Sequence, residues 1–199
     1  MGDVNGAALG RDHIRLPVGK DLQVGDVVRV PLSRACPNGC HTEDWLVESG
    51  LPWEWVRRAR WSEILACVEN PETLWCNLGH AQGRPHSRVS LVSARFETSS
   101  LHLIKAEDVE IRVEAGHDRS NSGRRRITAC FNYRGVGYGL AVTDPVSEAG
   151  FAARALGRYR IGDAILTISL SEPFTNNVGD TGRYKLVAAI ITPEDYHNA

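Results

Sequence analysis

The chain has 199 residues, and its 24 acidic and 23 basic side chains give a formal net charge of −1. This balance excludes a global basic field that would attract nucleic acid over long distances, and no apolar run approaches the length of a membrane span. The five cysteines are odd in number and scattered along the chain. That usage is typical of a reducing cytoplasm rather than of a disulfide framework, so we expect a cytoplasmic protein without a membrane partner.

The first half of the sequence predicts short strands around one helix. Strands are expected over residues 13–16 and 26–30, with glycine turns between them. A helix is expected over residues 63–68, where Ser62 is the predicted N-cap. Two further strands, 88–92 and 101–105, are expected to close this half.

The second half begins with a hairpin that organises the rest of the chain. β-branched and aromatic residues fill 126–133 and 136–143, and only Arg134 and Gly135 lie between these two segments. A glycine at this point supplies the positive φ of a tight hairpin turn. A strand over 109–113 is predicted ahead of the hairpin.

A helix and two strands follow the hairpin. Asp144 is the predicted N-cap, Pro145 fits the first helical position, and the helix is expected to continue over 146–156 until Gly157 ends it. The remaining predicted strands are 164–170 and 184–191. The order β-β-β-α-β-β is that of the five-stranded OB barrel with its helix between strands three and four.

Five sequence blocks, in this order along the chain, resemble the bacterial dual OB-fold-containing domain family. The resemblance covers roughly residues 13–191, and it implies two OB-like barrels and a nucleic-acid-associated role. The family usually carries one more strand ahead of the segment matching 13–18, so the first barrel is expected to be incomplete or open at one edge. The blocks are His41–Val47, Leu74–Trp75, Tyr138–Pro145, Ser169–Phe174 and Tyr184–Ile191.

The fold class that we predict is mainly β, with two tandem OB-like barrels that each carry a short helix. The first barrel is assigned to residues 12–105 and the second to residues 106–193. Other small barrels are also compatible with this order of strands, because strand order alone does not fix strand pairing.

Cysteine and histidine pairs raise the hypothesis of a structural zinc site. Two short pairs of such ligands are typical of tetrahedral zinc. The spacing inside each pair is three residues, whereas zinc knuckles usually have two, so isolated thiols in loops are the competing interpretation. The four candidate ligands are Cys36, Cys40, Cys76 and His80.

Three polar residues of the family-like blocks, Asp144, Glu172 and Lys185, form a second candidate site. They would bind a polar ligand or act as acid and base if they met at one barrel mouth. The structural alternative is favoured, in which Asp144 caps its helix and Lys185 pairs with Glu172 at the surface.

Arginine and tyrosine residues around the second hairpin form the candidate nucleic-acid site. OB barrels bind single strands on strands two and three with stacking aromatics and a basic groove. If both tyrosine rings are buried, this hypothesis gives way to a protein-interaction role. The candidate residues are Arg124, Arg125, Arg126, Tyr133, Arg134 and Tyr138.

The sequence therefore predicts a nucleic-acid-binding or nucleic-acid-associated module without catalytic activity of its own, whose partner is a single-stranded nucleic acid or a protein. One alternative is a protein-interaction adaptor in a multi-component bacterial system, which the weak net charge and the tryptophan-rich first half favour. The other is an unrecognised enzyme that uses Asp144, Glu172 and Lys185. No cofactor other than zinc is expected, and the sequence does not set the oligomeric state.

Overall fold

The structure is a computed structural model that describes residues 9, 16, 22–48, 50–77, 79–81, 83–116, 125–176 and 179–197. The chain divides into two compact units. The first comprises residues 1–67, 98–100 and 194–199, and the second comprises residues 68–97 and 101–193. No helix in the described part of the chain is long and apolar enough to cross a membrane.

The second unit contains a barrel of five main strands. Three of them form a meander near the start of this unit, and two follow a helix, α3 (Pro145–Ala152). The register within the meander is antiparallel throughout, and Arg134 and Gly135 form its tight turn with φ angles of 50° and 79°. The five strands are β7 (Leu101–Ala115), β8 (Arg125–Tyr133), β9 (Val136–Val142), β10 (Gly157–Leu170) and β12 (Thr181–Ile191).

Ladders of backbone pairs close these strands into a ring. β10 pairs antiparallel with both β7 and β12, and β12 pairs parallel with β9. The order around the ring is β10-β7-β8-β9-β12 and back to β10. A three-strand meander whose fourth strand returns beside the first is a Greek key, which is the topology of the OB barrel.

The interior of the barrel follows the two-residue alternation of its strands. In β7 the side chains of Val109, Ile111 and Val113 are buried, and so are Leu140 of β9 and Leu166 of β10. The side chains between them, such as Glu110 and Arg112, point to the outside because successive side chains of a strand alternate between faces.

A short hairpin from the middle of the chain also belongs to the second unit. It consists of β5 (Gly79–Ala81) and β6 (Arg84–Ser90), and β6 pairs with the first residues of β12. A helical turn, α2 (Leu91–Ala94), follows directly. β11 (Phe174–Thr175) pairs with β12 at the same end.

The first unit has shorter strands. β1 (Asp26–Arg29) pairs with β4 (Glu54–Arg58), and β2 (Leu32–Ala35) pairs with β3 (Trp45–Val47). Within the described residues these strands form two separate two-stranded sheets. The remaining elements are α1 (Trp61–Ala66) and α4 (Pro193–His197), and Leu16, Val47 and Trp53 form a small apolar cluster.

The mainly β fold and the strand order of the second half agree with the prediction. Several element limits differ. Residues 101–105 and 109–113 form one continuous strand, β7, because both parts pair with β10, while a bulge between Glu107 and Glu110 interrupts the pairing of β7 with β8. The expected strand 88–92 ends at Ser90, whose hydroxyl accepts the N–H of Ser93 and starts α2.

The helices also depart from their predicted limits. Arg60 rather than Ser62 caps α1, because Glu63 accepts the Arg60 backbone N–H and Glu63 is also held by Arg57. α3 ends at Ala152, and Gly157 begins β10 rather than ending the helix. Most of the predicted strand 13–16 lies outside the described residues, and so does Arg124.

The domain limits of 12–105 and 106–193 stay a prediction about the two barrels. Compactness alone places residues 68–97 with the second half of the chain. Their hairpin is paired with β12, which explains this placement.

Candidate nucleic-acid interface

Both tyrosines that were expected to stack on bases are buried. Tyr133 is 6% exposed and Tyr138 is 2% exposed. The Tyr133 hydroxyl donates to the Pro71 carbonyl at 2.8 Å, and the Tyr138 hydroxyl donates to Asn77 Oδ1 at 3.0 Å. Stacking on these rings is therefore excluded, because each ring points into the unit and its hydroxyl is held by residues 70–77.

Alternation along the hairpin explains this burial. Tyr138 is paired with Phe131 in the β8–β9 ladder, and their rings stack at a centroid distance of 5.5 Å. Both residues lie on the same side of the sheet as Leu140 and Ala129, which are fully buried. The family-like block that begins at Tyr138 thus contributes to the core.

The predicted arginines have separate environments. Arg126 Nη2 lies 2.8 Å from Glu114 Oε2 on the neighbouring strand. Arg125 is half-buried, and its buried Nη1 has no hydrogen-bond partner among the residues that the structure describes. Arg134, in the turn, donates from Nε to Asn70 Oδ1 at 3.3 Å.

The outer face of β8 and β9, where OB barrels usually bind single strands, is covered at its centre. Arg84 of β6 donates from Nε to Thr128 Oγ1 at 3.2 Å. A Cβ added to Gly139 would come within 2.9 Å of Pro85 Cδ, so a side chain larger than hydrogen would not fit there. Hence β6 occupies the position of a ligand on these two strands.

Next to this covered area, arginines gather on the outer face of β10, β7 and β8. Arg158 of β10 is paired with Arg112 of β7, and Arg126 of β8 is paired with Glu114. Arg160 is paired with Glu110 one step further along the same two strands. We call this surface the arginine face, and its cations are Arg84, Arg112, Arg126, Arg158 and Arg160.

Two carboxylates, Glu110 and Glu114, are in register with the arginines of this face. The pKa of Glu110 is lowered by its hydrogen bond with Arg112 and by the nearby charges of Arg158 and Arg160. The pKa of Glu114 is lowered in the same way, chiefly by Arg126. Both glutamates are therefore ionised at neutral pH, and the arginine face keeps a surplus of three positive charges.

Arg84 experiences the positive field of this surface. Burial and, to a smaller extent, repulsion by Arg126 lower its pKa to about 10. Arg158 and Arg160 are exposed, in contrast to Arg84, and their guanidinium groups are open to a ligand.

A groove of about 620 Å³ adjoins the arginine face at the β8–β9 turn. It shares Glu110, Arg112 and Cys130 with that face. Burial raises the pKa of the Cys130 thiol, so this cysteine stays protonated at neutral pH. We call this cavity the hairpin groove, and its exposed polar residues include Lys105, Glu107, Asp108, Asn132 and Arg134.

Lys185 is the largest fully buried side chain of the barrel. Its Nζ donates to Asn77 Oδ1 at 2.8 Å and lies 5.3 Å from the centroid of the Tyr138 ring. Burial lowers the pKa of Lys185 to about 8. The expected surface pair between Lys185 and Glu172 is therefore wrong, because Lys185 is enclosed and its partner is Asn77.

The other two residues of the candidate polar site have structural contacts. Asp144 accepts the Val146 N–H at 3.2 Å and the Ser147 hydroxyl at 2.6 Å, which makes it the N-cap of α3. Glu172 lies 3.5 Å from Arg183, and it is more than half exposed. Each of the three residues thus has a structural partner of its own, and an acid–base role for them stays a prediction.

The zinc hypothesis gains no support from the arrangement of side chains. Within the described part of the chain, no three His, Cys, Asp or Glu residues are grouped as metal ligands. The Cys40 side chain is buried beside a tight turn in which Asn38 and His41 bond each other's backbone. Zinc bound by Cys36, Cys40, Cys76 and His80 stays a prediction that elemental analysis of the purified protein would check.

Sequence reasoning missed the arginine face because its members come from four separate strands. Of its five cations, only Arg126 is among the six residues that the sequence predicts for the nucleic-acid site. The alternation of charged residues in Glu110, Arg112 and Glu114 is the signal that could have identified an outward, polar face on β7.

A closed five-stranded Greek-key barrel defines the second unit as an OB-type module. The chain matches the family model described as the dual OB-containing domain over residues 2–190, and it therefore belongs to that family. This match confirms the resemblance to dual OB proteins seen in the sequence blocks. No curated protein and no solved structure matches the chain.

Proposed function

We propose that this dual OB protein is a non-catalytic module that binds the sugar–phosphate backbone of single-stranded nucleic acid on its arginine face. The observation that carries the proposal is that five arginines of β6, β7, β8 and β10 lie together on one outer face, where Glu110 and Glu114 are paired with or next to them. Arginine neutralises phosphate and releases condensed counterions, which is the main source of sequence-independent affinity.

The proposed mode of binding differs from the usual one for this fold. Because β6 covers the centre of the β8–β9 face and both tyrosines are buried, the strand would follow β10, β7 and β8 instead. Arg158 and Arg160 are exposed and would meet the phosphates first. Arg112 Nε donates to Glu110 Oε1 at 2.8 Å, which holds that guanidinium on the outer face of β7.

The near-neutral net charge is compatible with this proposal. A total charge of −1 gives no long-range attraction, so affinity would come from one local surface and would fall steeply with salt. All five cysteines are free thiols, which supports a place in the cytoplasm, where nucleic acid is present.

The experiment is a titration of a labelled mixed-sequence 12-nucleotide DNA strand, followed by fluorescence anisotropy between about 20 and 200 mM NaCl. The double variant Arg158→Ala/Arg160→Ala should bind more weakly, and its log–log salt slope should be smaller by about two units. The control, Arg34→Ala/Arg95→Ala, changes the net charge equally but removes exposed arginines outside the arginine face. Equal affinity and slope for the two variants would contradict the proposal.

Burial of both tyrosines rules out the stacking site predicted from the sequence, and for the hairpin this favours a protein-interaction adaptor, which is the second candidate; the arginine face is a separate surface that does not depend on these rings. A specific apolar surface adds to this: Val92 and Phe96, four residues apart at α2, are 67% and 81% exposed. Exposed aromatic side chains such as Phe96 are enriched at protein interfaces. If the titration shows no binding at the lowest salt concentration, the adaptor becomes the leading function.

A further inference from the structure

We propose that the hairpin groove receives one unpaired base of the bound strand and favours bases that carry an exocyclic amino group. This inference rests on the proposed function, since the arginine face would guide the strand past the groove. It adds a preference among bases to a surface that otherwise contacts only phosphate and sugar.

The position of the groove supports this continuity. Arg112 and Glu110 lie in both surfaces, and Cys130 forms part of the boundary between them. A strand whose phosphates contact Arg158 and Arg112 would therefore pass directly over the groove. Its volume of about 620 Å³ falls within the range of pockets that hold small organic groups.

The polar groups of the groove are available to a ligand. Glu107, Asp108 and Asn132 are exposed, and within the described residues their side chains have no hydrogen-bond or ion-pair partner. Their arrangement comes from the β7 bulge, at which Glu107 is paired with Asn132 and Asp108 has a φ of 50°. The bulge thus turns two neighbouring carboxylates towards one cavity.

The chemistry of these groups discriminates between bases. An ionised carboxylate only accepts hydrogen bonds, so Glu107 and Asp108 suit the amino group of cytosine, adenine or guanine. Uracil and thymine present a carbonyl oxygen at the position of the cytosine amino group, and this oxygen would face a carboxylate without a proton between them. Lys105 and the Asn132 amide would donate to the remaining ring acceptors of cytosine.

The test compares binding of labelled dC12 and dU12 strands at pH 7.5 and low salt, because these strands differ only in the pyrimidine ring. The wild-type protein should bind dC12 about tenfold more tightly, the size of one good base contact. Glu107→Gln can donate to the uracil oxygen as well as accept, so this variant should lose most of the preference. Glu48→Gln, an equal change of charge at an exposed residue of the first unit, should keep the preference.

The outcomes separate the two proposals. Equal binding of dC12 and dU12 with a steep salt dependence would overturn the role of the groove and leave the arginine face in place. An unchanged preference in Glu107→Gln would also overturn it, because the discriminating contact would then lie elsewhere. No binding of either strand at about 20 mM salt would contradict the arginine face and the groove together.

Discussion

The second unit is built on strands of 15, 14 and 11 residues, whereas the strands of the first unit have three to five residues. The long strands close on themselves and enclose fully buried aliphatic side chains such as Ile111 and Leu166. The described strands of the first unit are joined in pairs, and polar side chains supply many of its contacts. Asp26 accepts the Trp55 indole N–H at 3.1 Å, and Arg57 bonds Glu63 at 2.8 Å.

This difference shows how the fold makes a surface available for binding. Once the ladders and the apolar interior hold the barrel, the outward side chains of the same strands are not needed for its stability. The arginine face is composed of such side chains, so its positive charge does little to destabilise the packed core. In the first unit, exposed arginines such as Arg57 are already engaged by carboxylates of that unit.

The largest predicted effect tests the dependence of the barrel on its interior. Leu166 is fully buried between β7 and β12, so Leu166→Ala should lower the free energy of unfolding by about 3 kcal/mol through lost burial and a residual cavity. Urea unfolding followed by far-ultraviolet circular dichroism would measure it. Leu156→Ala removes the same atoms at a residue that is 57% exposed and should change stability by less than about 0.5 kcal/mol.

The second prediction addresses the polar contacts of the first unit. Glu43 accepts the backbone N–H of Ser100 at 2.9 Å and its hydroxyl at 2.5 Å, and Ser100 is buried. Glu43→Ala leaves both donors without a partner and should cost about 2 kcal/mol. Tryptophan fluorescence reports mainly on this unit, since Trp45, Trp53, Trp55 and Trp61 lie in it and only Trp75 does not.

Glu48→Ala is the control for that measurement, because Glu48 is exposed. Burial raises the pKa of Glu43, but the hydrogen bonds from Ser100 outweigh it and the pKa is lowered overall. The stability that Glu43 contributes is therefore present above its ordinary value of 4.5 and is lost as the pH falls below it. A loss in Glu43→Ala no larger than that in Glu48→Ala would refute the importance of this contact.

The third prediction concerns the buried cation of the barrel. Burial lowers the pKa of Lys185 from 10.5 to about 8, while the nearby Cys76 and Glu97 act weakly in the opposite direction. Between pH 8 and 10.5 the unfolded chain binds more protons than the folded chain, so stability rises with pH in this window. Relative to Lys185→Met, the wild type should gain about 1.4 kcal/mol between pH 7 and pH 9.

Paired urea titrations at the two pH values would measure this gain. Lys105→Met is the control, because Lys105 is exposed and its Nζ lies 3.4 Å from Asp163. A difference between wild type and Lys185→Met that stays constant with pH would show that Lys185 keeps an ordinary pKa inside the barrel.

Much of the second barrel was predictable because its signals are local. The Arg134–Gly135 turn and the alternation in β8 and β9 indicate a hairpin by themselves, and Asp144 with Pro145 marks a helix start. Strand pairing is not local, however. The hairpin of residues 79–90 pairs with β12, about a hundred residues further along the chain. No short-range sequence pattern predicts this pairing.

The candidate site was harder to predict for the same reason. The alternation of side chains places Tyr133 and Phe131 on one face of β8, but it does not predict which face of the strand is buried by other parts of the chain. Residues 70–77, which hold the hydroxyls of Tyr133 and Tyr138, come from a segment assigned to the other half of the chain. The arginine face depends on the register between β10 and β7, which only the structure gives.

The smallest predicted effect belongs to the cap of α3, the part of the second unit that contributes least to its interior. Asp144 accepts the N–H of Val146 and the hydroxyl of Ser147, but no residue of α3 itself is buried. Asp144→Ala should therefore cost about 1 kcal/mol or less, since fraying of this helix exposes little apolar surface. Asp144→Asn keeps a side-chain acceptor at a position where Asn and Asp cap equally well, so it should retain the stability of the wild type. Thermal melting of the three proteins checks this order, and the strand titration described above is repeated on each of them. Unchanged melting of Asp144→Ala together with lost binding would mean that Asp144 acts on a ligand and that its hydrogen bonds to Val146 and Ser147 are incidental to stability.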